Sequence, residues 1–278
     1  MSFWEKVSKL DRRWIYLLVA LAVIVPLFMR VRLPMAVTPE VQQLYGAIEA
    51  LPDSSVVMLT FDYYASTVAE TRPMSIAALH HLFRKNMKVV TMTTVPLGGP
   101  SIAENVMGIM AKQYGKTYGV DYVNLGYKAN YEAVLLGMGT SIESIYPADQ
   151  RGTPLKDIPL MEQVKSYKDV KFIFIVADNG IVDYWISIVN AQFSTPMGAG
   201  VTAVMAPKFY SYVQAKQMTG LLGGMKGAAE YEQLVQKPAL ASIGMSSQSL
   251  VHFLIIFLVV VGNVSYFMLR REKRSPKS

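Results

Sequence analysis

The sequence contains no cysteine, which excludes a disulfide, an iron–sulfur cluster, a cysteine nucleophile and a thiolate zinc site. The compartment stays open, because disulfides are permitted outside the cytosol without being required there. Histidine is almost as scarce, with three residues, His80, His81 and His252. His80 and His81 are adjacent in a stretch of helical periodicity, about 100° apart, so they cannot share a metal as an i, i+4 pair could. Without cysteine, this argues against a transition-metal enzyme, and no metal site is expected. Charge is also sparse, at 17% of 278 residues against 52% hydrophobic, the reverse of a disordered chain. No internal repeat, low-complexity tract or long Pro/Gly linker divides the sequence. No motif in it names a family or a cofactor.

A formal net charge of +7 suggests a nucleic-acid binder until it is divided along the chain. Residues 1–32 hold six basic and two acidic side chains, and residues 270–278 hold five and one. The stretch between them has 16 and 17, a balance of −1, so no basic footprint for a polyanion remains and no nucleic-acid partner is expected.

Two uncharged apolar runs explain the basic tails. Trp14 to Met29 is 16 residues, about 24 Å of helix at 1.5 Å per residue, extendable if Arg30 and Arg32 snorkel. Leu250 to Leu269 is 20 residues and long enough to span alone. A cleaved signal peptide would need small residues after the first run, where Met29, Arg30, Val31 and Arg32 stand, so an uncleaved anchor is expected. Lysines and arginines flank the outer ends of both runs, which places both termini in the cytoplasm. The expected division is a cytoplasmic tail over 1–13, a transmembrane helix over 14–32, an extracytoplasmic domain over 33–248, a second transmembrane helix over 249–269 and a basic tail over 270–278. The lipid bilayer is thus the first expected partner. No Asn-x-Ser/Thr acceptor lies outside the second run, which is compatible with the plasma (inner) membrane of a prokaryote.

The central segment alternates short apolar runs with amphipathic stretches. Strands are expected over Val56–Phe61, Met87–Thr94, Val120–Leu125, Lys171–Ala177 and Val201–Met205, with helices over Pro73–Lys85, Pro100–Tyr114, Tyr131–Met138, Met161–Tyr167 and Val182–Phe193. Thr38-Pro39-Glu40 has the form of a helix start ahead of Val41, Leu44 and Ile48. Alternation of this kind implies parallel strands joined by right-handed crossovers, and continuously apolar strands imply that both faces are covered. The fold class is therefore α/β, a Rossmann-like three-layer sandwich with a mostly parallel sheet of about five strands, flanked by one transmembrane helix at each end.

In open parallel sheets, ligands bind beyond the carboxyl ends of the strands. The residues found there are Asp62 and Tyr63, then Gly98, Gly99 and Ser101, then Asn124 and Lys128, then Asp178 and Asn179, then Lys208. Strand-ending turns use the same residue types. Asp62 and Asp178, each directly after an apolar run, could together hold a cation or act as acid and base. Gly99-Pro-Ser101-Ile-Ala103 is a distant echo of the GxSxG elbow, but the domain's histidines precede it, so serine hydrolysis is not expected. A second unusual stretch is Gly220 to Glu232, in which Gly220, Gly224 and Ala228 form one line of small residues at helical spacing and Gly223 and Gly227 another. If helical, such a line invites close approach by the domain's own sheet, a second copy or a partner.

Two function classes remain. One is a non-enzymatic scaffold, assembly or ligand-sensing subunit of a larger membrane complex, as a homo-oligomer or with other membrane-protein subunits. The alternative is a membrane-tethered hydrolase or transferase with its site at the strand ends.

Overall fold

The computed structural model describes Trp4, residues 11–29 and residues 35–274. Most of the tail expected over 1–13, the end of the expected first transmembrane helix at 30–32 and the last residues of the basic tail, 275–278, lie outside the described residues. The chain divides into two compact units, one of them Met35–Ala241 and the other containing the terminal apolar segments. In the latter, helix α1 (Arg12–Met29) contains Pro26.

The α/β unit opens with α2 (Pro39–Glu49), whose Val41, Leu44 and Ile48 are buried. Thr38 holds the N-cap position in an extended conformation, yet its hydroxyl does not cap the helix. It donates instead, together with the Thr38 N–H, to Glu230 Oε2 at 2.6 and 2.9 Å.

Six parallel strands follow: β1 (Val56–Asp62), β2 (Lys88–Thr93), β3 (Tyr122–Tyr127), β4 (Phe172–Ala177), β5 (Met197–Val201) and β6 (Leu221–Gly223), in the order β3-β2-β1-β4-β5-β6. This is the strand order of a doubly wound Rossmann-like sheet. The strands alternate with α3 (Val68–Arg84), α4 (Gly99–Tyr114), α5 (Tyr131–Met138), α6, α7 (Ala206–Gln214) and α8 (Gly224–Leu234). Helix α6 consists of Ile181–Tyr184, a π-helical segment Trp185–Asn190 and Ala191–Phe193. Last comes α9 (Leu240–Arg274). Both α1 and α9 are long and apolar enough to cross a membrane.

Side-chain alternation along the strands explains the three layers. Met58, Val90, Ile173 and Ala199 point to one face, where they pack with Leu135 of α5, Val182 of α6 and Phe209 of α7. The other face carries α2, α3, α4 and α8, with Phe174 meeting Tyr231 of α8 at 6.0 Å between ring centroids. Every residue of β1 and β4 is buried, as two covered faces require.

The sheet has one strand more than the five expected, and two segments differ from expectation for one reason. Met197-Gly-Ala-Gly-Val forms β5, four residues ahead of the strand expected over Val201–Met205. A Cβ on Gly198 would stand 2.4 Å from Leu44 Cδ1 and one on Gly200 2.8 Å from Met74 Sδ, so the glycines let α2 and α3 lie close on the sheet. The expected glycine helix is corrected in the same way. Gly220 precedes β6 and Gly223 ends it, while α8 begins only at Gly224. Gly220, Gly224 and Ala228 are therefore not one helical line. Their close neighbours belong to the same domain: a Cβ would fall 2.4 Å from Glu40 O at Gly220, 2.9 Å from Ala206 Cβ at Gly223, 2.7 Å from Ala203 Cβ at Gly224 and 2.8 Å from Leu222 backbone at Gly227. Ala228 is fully buried.

Elsewhere α3 begins at Val68, five residues ahead of Pro73, which lies inside it. The helix expected at 161–167 is replaced by a short helix Pro159–Glu162 and a 3-10 turn Tyr167–Asp169. Two buried carboxylates on α8 serve the segments next to it. Glu230 receives Thr38 and pairs with Lys226, and Glu232 accepts from the N–H groups of Ala239 and Ala241 at 2.8 and 3.1 Å, at the start of α9. A third polar cluster joins α2, α3 and α8. His81 bonds Tyr231 Oη through Nδ1 and Glu49 through Nε2, both at 2.7 Å, and Tyr45 stacks on its ring.

Candidate functional site

Neighbouring strands β1 and β4 send their helices to opposite faces, α3 to one and α6 to the other. Their connecting loops therefore diverge, and the gap lies at the carboxyl end of the sheet where the strand order reverses. A cleft of about 290 Å³ opens there. Tyr64 follows β1, Thr94 and Val95 follow β2, and Asn179 to Ile181 follow β4. Tyr131 at the start of α5 and Tyr184 of α6 complete the wall. The rings of Tyr131 and Tyr184 meet edge to face, 4.6 Å between centroids and 66° between planes. The Tyr184 contact holds the Tyr131 phenol above its ordinary pKa. None of the lining side chains is charged.

The two carboxylates at this edge are engaged within the protein. Asp62 ends β1 fully buried, and its Oδ1 accepts from the N–H and hydroxyl of Thr94 at 2.6 and 2.8 Å, fastening the end of β2 to β1. Among the described residues its Oδ2, the buried Thr60 hydroxyl, the Trp185 indole N–H and the Tyr146 hydroxyl on the same face make no hydrogen bond of ordinary geometry, although Thr60 and Trp185 lie close enough to the carboxylate to favour its charged form. Burial raises the Asp62 pKa, opposed by Thr94 and by the polar neighbours Thr60 and Trp185. Asp178 is half-buried, and its Oδ2 accepts from Tyr64 N–H at 2.8 Å and from Thr67 Oγ1 at 2.5 Å. It thereby fastens the β1–α3 turn to the end of β4 through two donors. Asn179 closes the arrangement, donating to Asp62 O at 2.9 Å and accepting from Ile181 N–H at 3.0 Å.

Of the residues expected at the strand ends, only Asn179 lines the cleft, with Asp62 and Asp178 behind its wall. Tyr63 is fully buried and bonds Ser75 at 3.1 Å, because strand alternation turns it from the edge to the far face. Asn124 is likewise interior, held by Thr91 and Glu104 at 3.2 Å each. Gly98 takes φ +86° ahead of α4, and Gly99 is buried where a Cβ would meet Thr93 Oγ1 at 2.5 Å. Ser101 lies in a separate open hollow with Glu104 and Arg151, which pair at 2.6 Å while Arg151 lies over the Tyr118 ring. Lys208 pairs with Asp183 at 2.6 Å, and Lys128 is exposed. The cleft residues not anticipated are Tyr64, Thr94, Tyr131 and Tyr184. Two of them directly follow strands and two stand in the helices beside them, so the signal was one of position and not of acid–base chemistry.

No protein-family model matches the chain, and no curated protein sequence matches it significantly. Among solved structures it is similar to a trehalose-6-phosphate synthase, at 11% identity and a TM-score of 0.34, covering 92% of this chain and 49% of that one. The chain thus spans about half the length of that protein. At this score the likeness bears on neither substrate nor reaction.

Proposed function

We propose that the chain is a membrane-anchored subunit whose α/β domain lies on the extracytoplasmic side, both termini being cytoplasmic, and which acts in scaffolding, assembly or ligand sensing within a larger membrane complex, without catalysing a reaction. One observation carries this. Asp62 and Asp178, the two carboxylates best placed for acid–base work at the strand ends, instead fasten β2 to β1 and the β1–α3 turn to β4. What remains in the cleft is a set of uncharged side chains suited to holding a molecule. The basic flanks of the two apolar helices support the orientation, and the plasma membrane of a prokaryote is the proposed location. Partners are the bilayer and further membrane subunits, either copies of this chain or others, and not nucleic acid.

The test is purification of the tagged full chain from its native membrane in mild detergent. A stoichiometric partner or a defined homo-oligomer is expected, and Asp62→Asn and Asp178→Asn should leave its recovery unchanged. A lone monomer with hydrolase or transferase activity that either substitution abolishes would establish the tethered enzyme instead.

A further inference from the structure

We propose that the cleft between β1 and β4 is a binding site for a neutral, hydroxyl-bearing ring of the size of one sugar residue, so that the ligand sensed by the proposed subunit is a glycosyl unit. The inference rests on the ligand-sensing form of that proposal.

Anionic ligands are excluded first. In a sheet of this strand order, a phosphate is received by free N–H donors at the turn after β1. Here Asp178 Oδ2 already accepts from Tyr64 N–H and Thr67 Oγ1, so the protein's own carboxylate stands at this turn and would repel an anion. The turn itself reads Asp62-Tyr-Tyr-Ala-Ser-Thr67, without a glycine to let a pyrophosphate approach the backbone. No lysine, arginine or histidine lines the cleft to compensate. A phosphate brought there would face a carboxylate with no cation beside it.

Planar aromatic ligands find no slot made for them, because Tyr131 and Tyr184 stand 66° apart and meet edge to face and so form no parallel pair of walls. A puckered ring has a different requirement. Its axial C–H groups need apolar or aromatic surface and its equatorial hydroxyls need groups that both donate and accept. Tyr64, Tyr131 and Tyr184 provide both in one side chain each, and the Thr94 hydroxyl, donating to Asp62, keeps its lone pairs for a ligand hydroxyl. The volume of about 290 Å³ lies at the lower end for small-molecule sites, a space that one small ring fills. Directly beyond Tyr184 the helix turns π-helical over Trp185–Asn190, an irregularity that concentrates at functional sites.

The experiment is saturation-transfer NMR on the full chain in a detergent with a non-sugar headgroup, since a maltoside detergent would compete. The probes are the methyl glycosides of glucose, galactose and N-acetylglucosamine, with glucuronate, glucose 6-phosphate and adenine as controls. Transfer is expected to at least one neutral glycoside and not to the charged or planar controls. Tyr131→Ala and Tyr184→Ala, checked for unchanged circular dichroism, should each weaken binding at least tenfold. Absence of transfer to every neutral glycoside, preference for any control, or binding that both variants retain would overturn the assignment. If partner recovery persists without glycoside binding, this inference fails alone. If a glycoside binds and new anomeric signals accumulate, the site stands and the non-enzymatic proposal fails.

Discussion

Asp62 places a fully buried carboxyl group behind the cleft wall, among Thr60, Thr94 and Trp185, and its protonation enters how the domain responds to pH. Burial raises its folded pKa above the ordinary 3.8. Between the two values the folded state holds more protons than the unfolded one, so this residue makes stability fall as pH rises through that window. His80 and His81 act in the opposite sense. Burial lowers both from 6.5 to about 4, so the unfolded state holds more protons and stability rises from about pH 4 to 6.5. Asp62→Asn removes only the first effect. The melting temperature of the variant relative to wild type should shift in its favour as pH is raised, while the histidine-driven rise persists in both. A difference that stays constant from pH 4 to 8 would show that the folded pKa of Asp62 is not raised above its unfolded value.

At the scale of elements, Gly224 shows how far one residue decides a boundary. It starts α8 at φ +61°, and a Cβ there would meet Ala203 Cα at 3.0 Å and N at 3.1 Å. Alanine raises helix propensity in a helix interior, but at this position it is strained and blocked. Gly224→Ala should therefore destabilise the domain by about 1–3 kcal/mol in chemical unfolding, and Gly262→Ala, where nothing lies within 4 Å, should not. The same residues show why part of the fold was legible and part was not. Val56–Phe61 and Lys171–Ala177 are apolar throughout because they are buried on both faces, so composition alone places the central strands. Met197–Val201 and Leu221–Gly223 are edge-side strands built around glycine, and their strand character comes from α2, α3 and α7 pressing on them, which no local pattern records. The cleft divides likewise. Periodicity locates the strand ends, but which of their side chains turn outward depends on alternation, and this is why Tyr63 is interior while Tyr64 is in the wall. Tyr131 and Tyr184 meet only through tertiary packing.

For the whole molecule, topology is the next test. Single cysteines can be introduced into a chain that has none. At Ser55 and Thr153 they should react with a membrane-impermeant thiol reagent in intact cells, and at Ser2 and Ser278 only after permeabilisation. The reverse pattern would place the domain in the cytoplasm. Helix α8 has a mechanical consequence if, as proposed, the domain is held at both ends. Tension entering ahead of Thr38 reaches Glu230, and tension entering beyond Ala241 reaches Glu232, two residues along the same helix. The two loads meet across less than one helical turn, so a pull between the chain ends is short-circuited through α8. The six strands and the cleft lie outside that path, so in the proposed membrane-anchored subunit a pull on the chain ends would load α8 before the cleft.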